Sequence, residues 1–386
     1  MKQQFSNRLF RNKYCICNLI EISFEKQINN KVHLPKKIFF FYFLVPCFTV
    51  LAQDSTYSLH SILNFSTASN INISNNIQLS FYDEFVDPTI KPKLGVASQP
   101  IFVNSERPMI DGTTWRKYSE IDYLRLSSML GVIAAVNIVA YTYQREVWYT
   151  EETTGFHSLD FSEDWGKYQQ MDKFGHFTDA YFTSDLTGKI YRWSGMSGTS
   201  SVWYGALTGW LWMLEIEVSD AFMADWGFSW GDMLANTAGS AFYVLQQFNY
   251  DALGGINPKF SWHKSEAWKE MRYNKDPQAL IEDYEGLTFW LTVNPHHYFP
   301  DSWKKSYSDW LAPLGLAFGV SAKDIGINPW GGYKEYFVGL DVDLRKLPIW
   351  GNSNLAKFIT SEVNILRMPL PTIRFSSEGV WFGFYF

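Results

Sequence analysis

Cysteine is almost missing from this chain: it has three, Cys15, Cys17 and Cys47, and none after residue 47. Most of the sequence therefore holds no thiol, which excludes a disulfide framework and any cysteine-based metal site there. No HExxH helix, glycine-rich phosphate loop or nucleophile elbow occurs either, so the commonest sequence warrants for hydrolysis or nucleotide binding are lacking. Positive charge is short as well. Against 39 Asp and Glu stand 33 Lys and Arg, a net −6, with no basic stripe after residue 60. A general nucleic-acid binder needs clustered cations to neutralise phosphates and is excluded. What the chain has in abundance is aromatic side chains, 17 Trp, 22 Tyr and 31 Phe. Such rings suit places that are apolar on one side and wet on the other, meaning bilayer and protein interfaces, or else a large aromatic core.

The clearest segment is an export signal in an unusual place. Lys36 and Lys37 precede an apolar run from Ile38 to Leu44 that continues past Pro46 to Leu51, and Val50-Leu51-Ala52 presents the small side chains a signal peptidase reads. A basic start, a short apolar stretch and a small-residue exit make a secretory signal over about 34–52. The run is shorter than the roughly 20 residues of a permanent span. Cleavage is expected after Ala52, leaving Gln53 or Asp54 first. Residues 1–35 are mixed and without period, and the expectation is a start codon downstream, at Leu34. Pro46 stands where a lipoprotein signal wants a small residue, so Cys47 is not read as a lipid attachment.

At 386 residues the chain has room for two or three domains. Residues 53–110 read as an extended Ser/Asn-rich arm, with one or two short strands between Leu63 and Tyr82. Residues 111–250 read as a helical bundle. Ile121–Tyr143 is apolar around most of its surface, as in a buried or membrane-immersed helix. Asp172–Leu186 is more polar, Val202–Val218 is apolar with Gly205 and Gly209 at a spacing that lets helices approach closely, and Ser229–Phe248 closes the set. Residues 251–386 read as β-rich. Short aromatic stretches at Leu287–Val293, Leu314–Val320, Tyr336–Leu344 and Gly379–Phe386 suggest strands, and Leu355–Leu366 has helical spacing before Pro369 and Pro371. Four to six strands are too few for a barrel of about eight. The expected fold is thus mainly α, a membrane-associated bundle of about four helices followed by a small β-rich C-terminal part.

Chemistry, if any, belongs to 171–240. Asp172-Lys173-x-x-His176 puts an acid and an imidazole one turn apart on one face. Glu217-x-x-Asp220 does the same with two carboxylates at the end of an apolar helix. Ser229-x-x-Asp232 is followed by Asn236 and Gly239 at helical spacing.

The order D-K-x-x-H-F, E-x-x-D, F-S-W-x-D and N-x-x-G resembles the YfiM-like family, domain of unknown function 2279, over about residues 168–248. More distantly it is similar to VanZ-like membrane proteins. The resemblance implies predicted periplasmic lipoproteins and no known activity. Its polar positions fall on Asp172, Lys173, His176, Glu217, Asp220, Ser229, Asp232, Asn236 and Gly239. The chain departs from the family in having no credible lipidation cysteine.

Two readings of these residues compete. In the first, Ser229 and Asp232 form a capping box, Asp172 and Lys173 suit a helix start, Gly205, Gly209 and Gly239 serve close packing, and His176 with its carboxylates is a buried network fixing helix register. In the second, His176, Glu217 and Asp220 are catalytic, a base held by one carboxylate while another orients water or substrate. A divalent cation on those three residues is a weaker variant; no metal or other cofactor is predicted. The reading adopted is an exported envelope protein, periplasmic and membrane-associated at the outer membrane, with a structural or interaction role and membrane lipid or an envelope protein as partner. The alternative is a lipid- or glycan-modifying enzyme.

Overall fold

A computed structural model describes residues 107–149, 152–273, 277 and 279–385. The signal, its cysteines, the start at Leu34, the strands between Leu63 and Tyr82 and nearly all of the arm lie outside the described residues.

Helix α1, Tyr123–Val147, starts where the Asp122 carboxylate accepts the free backbone N–H groups of Leu124 and Arg125. A short helix α2, Phe161–Gly166, follows. Three long helices form the bundle: α3 Met171–Trp193, α4 Gly198–Asp220 and α5 Trp230–Phe248. They come close because glycines face them. A Cβ on Gly205 would stand 2.7 Å from the Gly188 backbone, and one on Gly209 2.4 Å from Ser184 Oγ. Gly239 likewise lies against the Phe177 carbonyl of α3. Tyr181, Val202, Ala206 and Tyr243 form the apolar centre between these helices. By contrast α1 buries Leu126 and Leu130 and leaves Leu124, Val132, Val136 and Val139 exposed.

The C-terminal part is one six-stranded antiparallel meander in chain order: β1 Ile256–Trp262, β2 Leu287–Val293, β3 Leu314–Lys323, β4 Tyr333–Val342, β5 Leu370–Ser376 and β6 Gly379–Tyr385. Helix α6, Asn354–Val363, lies between β4 and β5. The chain following α6 returns to β1, where Phe260 N–H donates to Ile365 O and Arg367 N–H donates to Phe260 O, both at 2.9 Å. Met171 at the start of α3 packs with Leu287, Phe289, Ala322 and Ile325, joining bundle and sheet.

This corrects the expected fold class. With six strands in one sheet making 20% of the chain beside 49% helix, the fold is mixed α/β rather than mainly α with a small β part. The shortfall has a physical cause. Strands β1 and β5 carry Asn257, Lys259, Ser261, Thr372 and Arg374, which do not read as core-forming alternation because the face that buries them is polar.

One face of the sheet carries an exposed apolar row, and the other buries charged groups beside Trp290, Ala317 and Phe337. Leu291, Phe318, Val338, Ile373 and Phe382 are paired neighbour to neighbour across β2 to β6, and every one is exposed, from 39% to 74%. Behind them Lys259, Ser321, Glu335, Asp341 and Thr372 are buried. Lys259 Nζ lies 2.9 Å from Asp341 Oδ2 and donates to Asn364 Oδ1 at 3.1 Å; Arg374 Nη1 lies 3.1 Å from Glu335 Oε1. Helix α6 shows a similar arrangement, with Leu355, Phe358, Ile359 and Val363 exposed and Thr360 and Ser361 buried.

Candidate functional site

At one end of the bundle the start of α3, the end of α4 and the start of α5 meet. The approach to α3 is strained: Tyr168, Gln169 and Gln170 all have φ between 52° and 58° although none is glycine. Left-handed non-glycine residues cost of order 1–3 kcal/mol each and persist where their surroundings hold them. Here the β3–β4 connection does so. Tyr168 N–H donates to Pro329 O at 2.6 Å, the Gln169 amide to Gly331 O at 3.0 Å, and Lys334 Nζ to Gln170 Oε1 at 2.6 Å. The turn folds α2 back so that Asp164 reaches α3 and α5.

Lys173 is the centre of the first half of the site. Its ammonium lies 2.7 Å from Asp164 Oδ1, 3.0 Å from Asp172 Oδ2 and 3.0 Å from Asp232 Oδ1, and it donates to Ser229 Oγ at 3.3 Å. Ser229 Oγ donates to Asp164 Oδ1 at 2.6 Å, and Gly231 N–H donates to Asp164 Oδ2 at 2.8 Å. Despite its burial, Asp164 is held below the ordinary carboxylate range by the hydrogen bonds from Lys173, Ser229 and Gly231. Burial and the Asp232 charge push Asp172 upward. For Lys173 the surrounding carboxylates outweigh desolvation and keep the ammonium charged. This is a clasp tying α2, α3 and α5 together.

The second half turns on His176, Glu217 and Asp232, whose ligand-type atoms all lie within 4.8 Å of one another. His176 Nδ1 is 3.1 Å from Asn236 Oδ1 and 3.5 Å from Glu217 Oε1, while Nε2 is 3.9 Å from Asp232 Oδ2. Glu217 is 1% exposed and accepts the Ser229 N–H on Oε2 at 3.1 Å. Burial, and then the neighbouring Asp232 and Asp220 charges, push its carboxyl up to about 10. Burial also raises Asp220 to about 7, against a stabilising hydrogen bond from Tyr149, whose hydroxyl donates to Asp220 Oδ1 at 2.7 Å.

The structure therefore brings Asp172, Lys173, His176, Glu217, Ser229, Asp232 and Asn236 to one place, with Gly239 one turn further along α5. Asp220 is turned toward Tyr149 of the segment after α1. The capping box is half formed: Ser229 Oγ accepts the Asp232 N–H at 2.9 Å, but the Ser229 N–H is taken by Glu217, which frees Asp232 for Lys173. Sequence reasoning missed Asp164. It sits in a six-residue helix without apolar period and meets Ser229 sixty-five positions away. Its sequence signal, a Glu-Asp pair just before the strained turn, is faint.

Residues 161–248 match the model of the family described as predicted periplasmic lipoprotein (DUF2279). The match runs from the start of α2 to the end of α5 and contains the whole cluster, so the resemblance read from the motifs holds over that stretch. The description supports a cell-envelope, periplasmic setting. No curated protein and no solved structure matches the chain.

Proposed function

We propose that this protein is embedded in the outer membrane and has a structural or interaction role in envelope assembly or maintenance. One observation carries the reading: a continuous apolar row crosses five strands outward, while lysine, arginine and carboxylates are buried beside Trp290 and Phe337 on the face behind it. In water this arrangement wastes apolar surface and buries charge. In lipid it is the favourable one, since transmembrane β-structures are apolar outside and polar within. Strands β3 and β4, of ten residues each, rise about 33 Å, the thickness of a hydrocarbon layer of about 30 Å, and the seven-residue β2, β5 and β6 rise about 23 Å.

Two further surfaces support it. Helix α1 has 25 residues, a length of about 37 Å, and is the helix among the described residues long and apolar enough to cross a bilayer. Helix α6 presents Leu355, Phe358, Ile359 and Val363 outward as an interfacial helix does. Lipid offers no hydrogen bonds, so this reading requires a further strand against the edge of β6.

The test is fractionation of cells making the full chain. We expect recovery with outer-membrane density after high-salt and alkaline washes, because apolar contact rather than surface charge holds the protein. Replacing Phe318 and Val338 together with lysine should shift it toward the soluble or aggregated fraction. Release of the parent at low salt would refute the membrane reading, and banding with the inner membrane would refute its outer-membrane part.

A further inference from the structure

Three buried carboxylates, Glu217, Asp232 and Glu335, keep an oxygen without a hydrogen bond among the described residues. Two have an obvious cation: Asp232 Oδ1 lies 3.0 Å from Lys173 Nζ, and Glu335 Oε1 lies 3.1 Å from Arg374 Nη1. Among the described residues Glu217 Oε1 has the His176 imidazole beside it, 3.5 Å from Nδ1. Its sister oxygen is fixed by the Ser229 N–H, so the carboxyl cannot turn away. A buried acceptor left unsatisfied is costly and calls for a partner.

The neighbours repeat this pattern. Asp232 has Oδ1 tied to Lys173 and Oδ2 turned toward His176. An Nδ1–H on His176 donating to Asn236 Oδ1 leaves Nε2 as a lone pair, 3.9 Å from Asp232 Oδ2. One ligand-type atom from each of the three side chains lies within 4.8 Å of the other two, and the three come from α3, α4 and α5. Among the described residues Lys173 is the ammonium beside this group, and it is already shared among three carboxylates.

We propose that His176, Glu217 and Asp232 bind one divalent transition cation of the zinc or manganese class. One nitrogen and two carboxylate oxygens make a borderline donor set, less suited to calcium or magnesium, which favour all-oxygen shells. Metal–ligand bonds of about 2.0–2.2 Å fit between donors at this separation. Asn236 is the outer partner that orients the imidazole, a role whose loss costs about 10- to 100-fold in metal affinity elsewhere. Three protein ligands leave a coordination position for water or a further ligand.

The experiment uses the full chain in detergent micelles, stripped with chelator and dialysed against Zn²⁺, Mn²⁺ or Mg²⁺ alone. One Zn²⁺ or Mn²⁺ per chain should be retained, with Mg²⁺ bound far more weakly. Glu217→Gln keeps an acceptor for the Ser229 N–H while removing the charge, and should weaken binding at least as much as Asn236→Ala. Pulsed electron paramagnetic resonance of the Mn²⁺-loaded parent should show coupling to a single imidazole nitrogen, a readout that needs no variant to fold. A stripped parent that takes up neither Zn²⁺ nor Mn²⁺, affinity unchanged by Glu217→Gln, or bound Mn²⁺ without nitrogen coupling would each overturn the assignment. None of these outcomes bears on membrane partition, so the two readings fail separately.

Discussion

Replacing Lys173 with methionine keeps the length of the side chain and removes its charge. The ammonium it deletes is 8% exposed and lies within 3.0 Å of three carboxylates on α2, α3 and α5. Breaking a buried ion pair from one side costs about 3–5 kcal/mol, because the partner stays charged and unpaired. Three partners push the loss toward the upper end, and uptake of a proton by Asp172, already raised by burial, relieves part of it. At about 2–4 °C per kcal/mol for a domain of 150–250 residues, melting should fall by roughly 6–20 °C. Intrinsic tryptophan fluorescence during heating in detergent, at neutral pH, is the assay. A control separates the value of the clasp from the penalty of orphaned acids: Lys173→Met combined with Asp164→Asn and Asp232→Asn should recover much of the loss, since neutral replacements of buried ion pairs are often well tolerated. If Lys173→Met alone melts with the parent, the ammonium does not hold these helices and the clasp is misread.

Gly239→Leu should destabilise the protein by about 1–3 kcal/mol or more, since a Cβ there would sit 2.1 Å from the Phe177 carbonyl oxygen; unchanged melting would show that α3 and α5 are not packed on this face. Asp343 gives a pH prediction: burial alone would raise its carboxyl, but Arg345 outweighs that and holds it at about 2 against an ordinary 3.8. A depressed carboxyl contributes stability above its unfolded pKa and loses it as pH falls through the folded one. About 2 kcal/mol should therefore disappear between pH 4 and pH 2, and denaturant melts of Asp343→Asn should show a shallower acid limb; an identical limb would refute this.

The bundle was legible because long apolar periods announce long helices. Expected Ile121–Tyr143, Asp172–Leu186, Val202–Val218 and Ser229–Phe248 became Tyr123–Val147, Met171–Trp193, Gly198–Asp220 and Trp230–Phe248. The ends moved where caps rather than period decide, as at Ser197, whose hydroxyl accepts the Ser200 N–H. The sheet was legible only in part. Apolar alternation marks a strand but does not say which face is inside, and Lys259 in β1 looks like a solvent residue until Asp341 and Asn364 appear around it. Of the site, the motifs on α3, α4 and α5 were readable from spacing. Asp164 was not, because its place depends on a three-residue left-handed turn that no glycine signals and that Pro329 and Gly331 hold from a distant loop.

Sheet and bundle share one habit: paired polar groups are buried beside the apolar clusters, and apolar side chains also stand outward. In the bundle Lys189 of α3 is 5% exposed and satisfied by Asp185 at 2.5 Å and Glu362 at 2.7 Å, while Leu207 of α4 and Trp230, Leu234 and Leu245 of α5 stand exposed. Glu362 belongs to α6, so this pair also fastens the helix between β4 and β5 to α3. A charge buried without a partner is far more expensive than a pair, and an apolar exterior gives such a group no water to retreat to. The interior of this protein is therefore held by mutual satisfaction of its polar groups as well as by hydrophobic burial between the helices and on the sheet. That is why charged residues recur in otherwise apolar helices and strands, and why a substitution that breaks one pair should be felt more than one that trims a leucine from the surface.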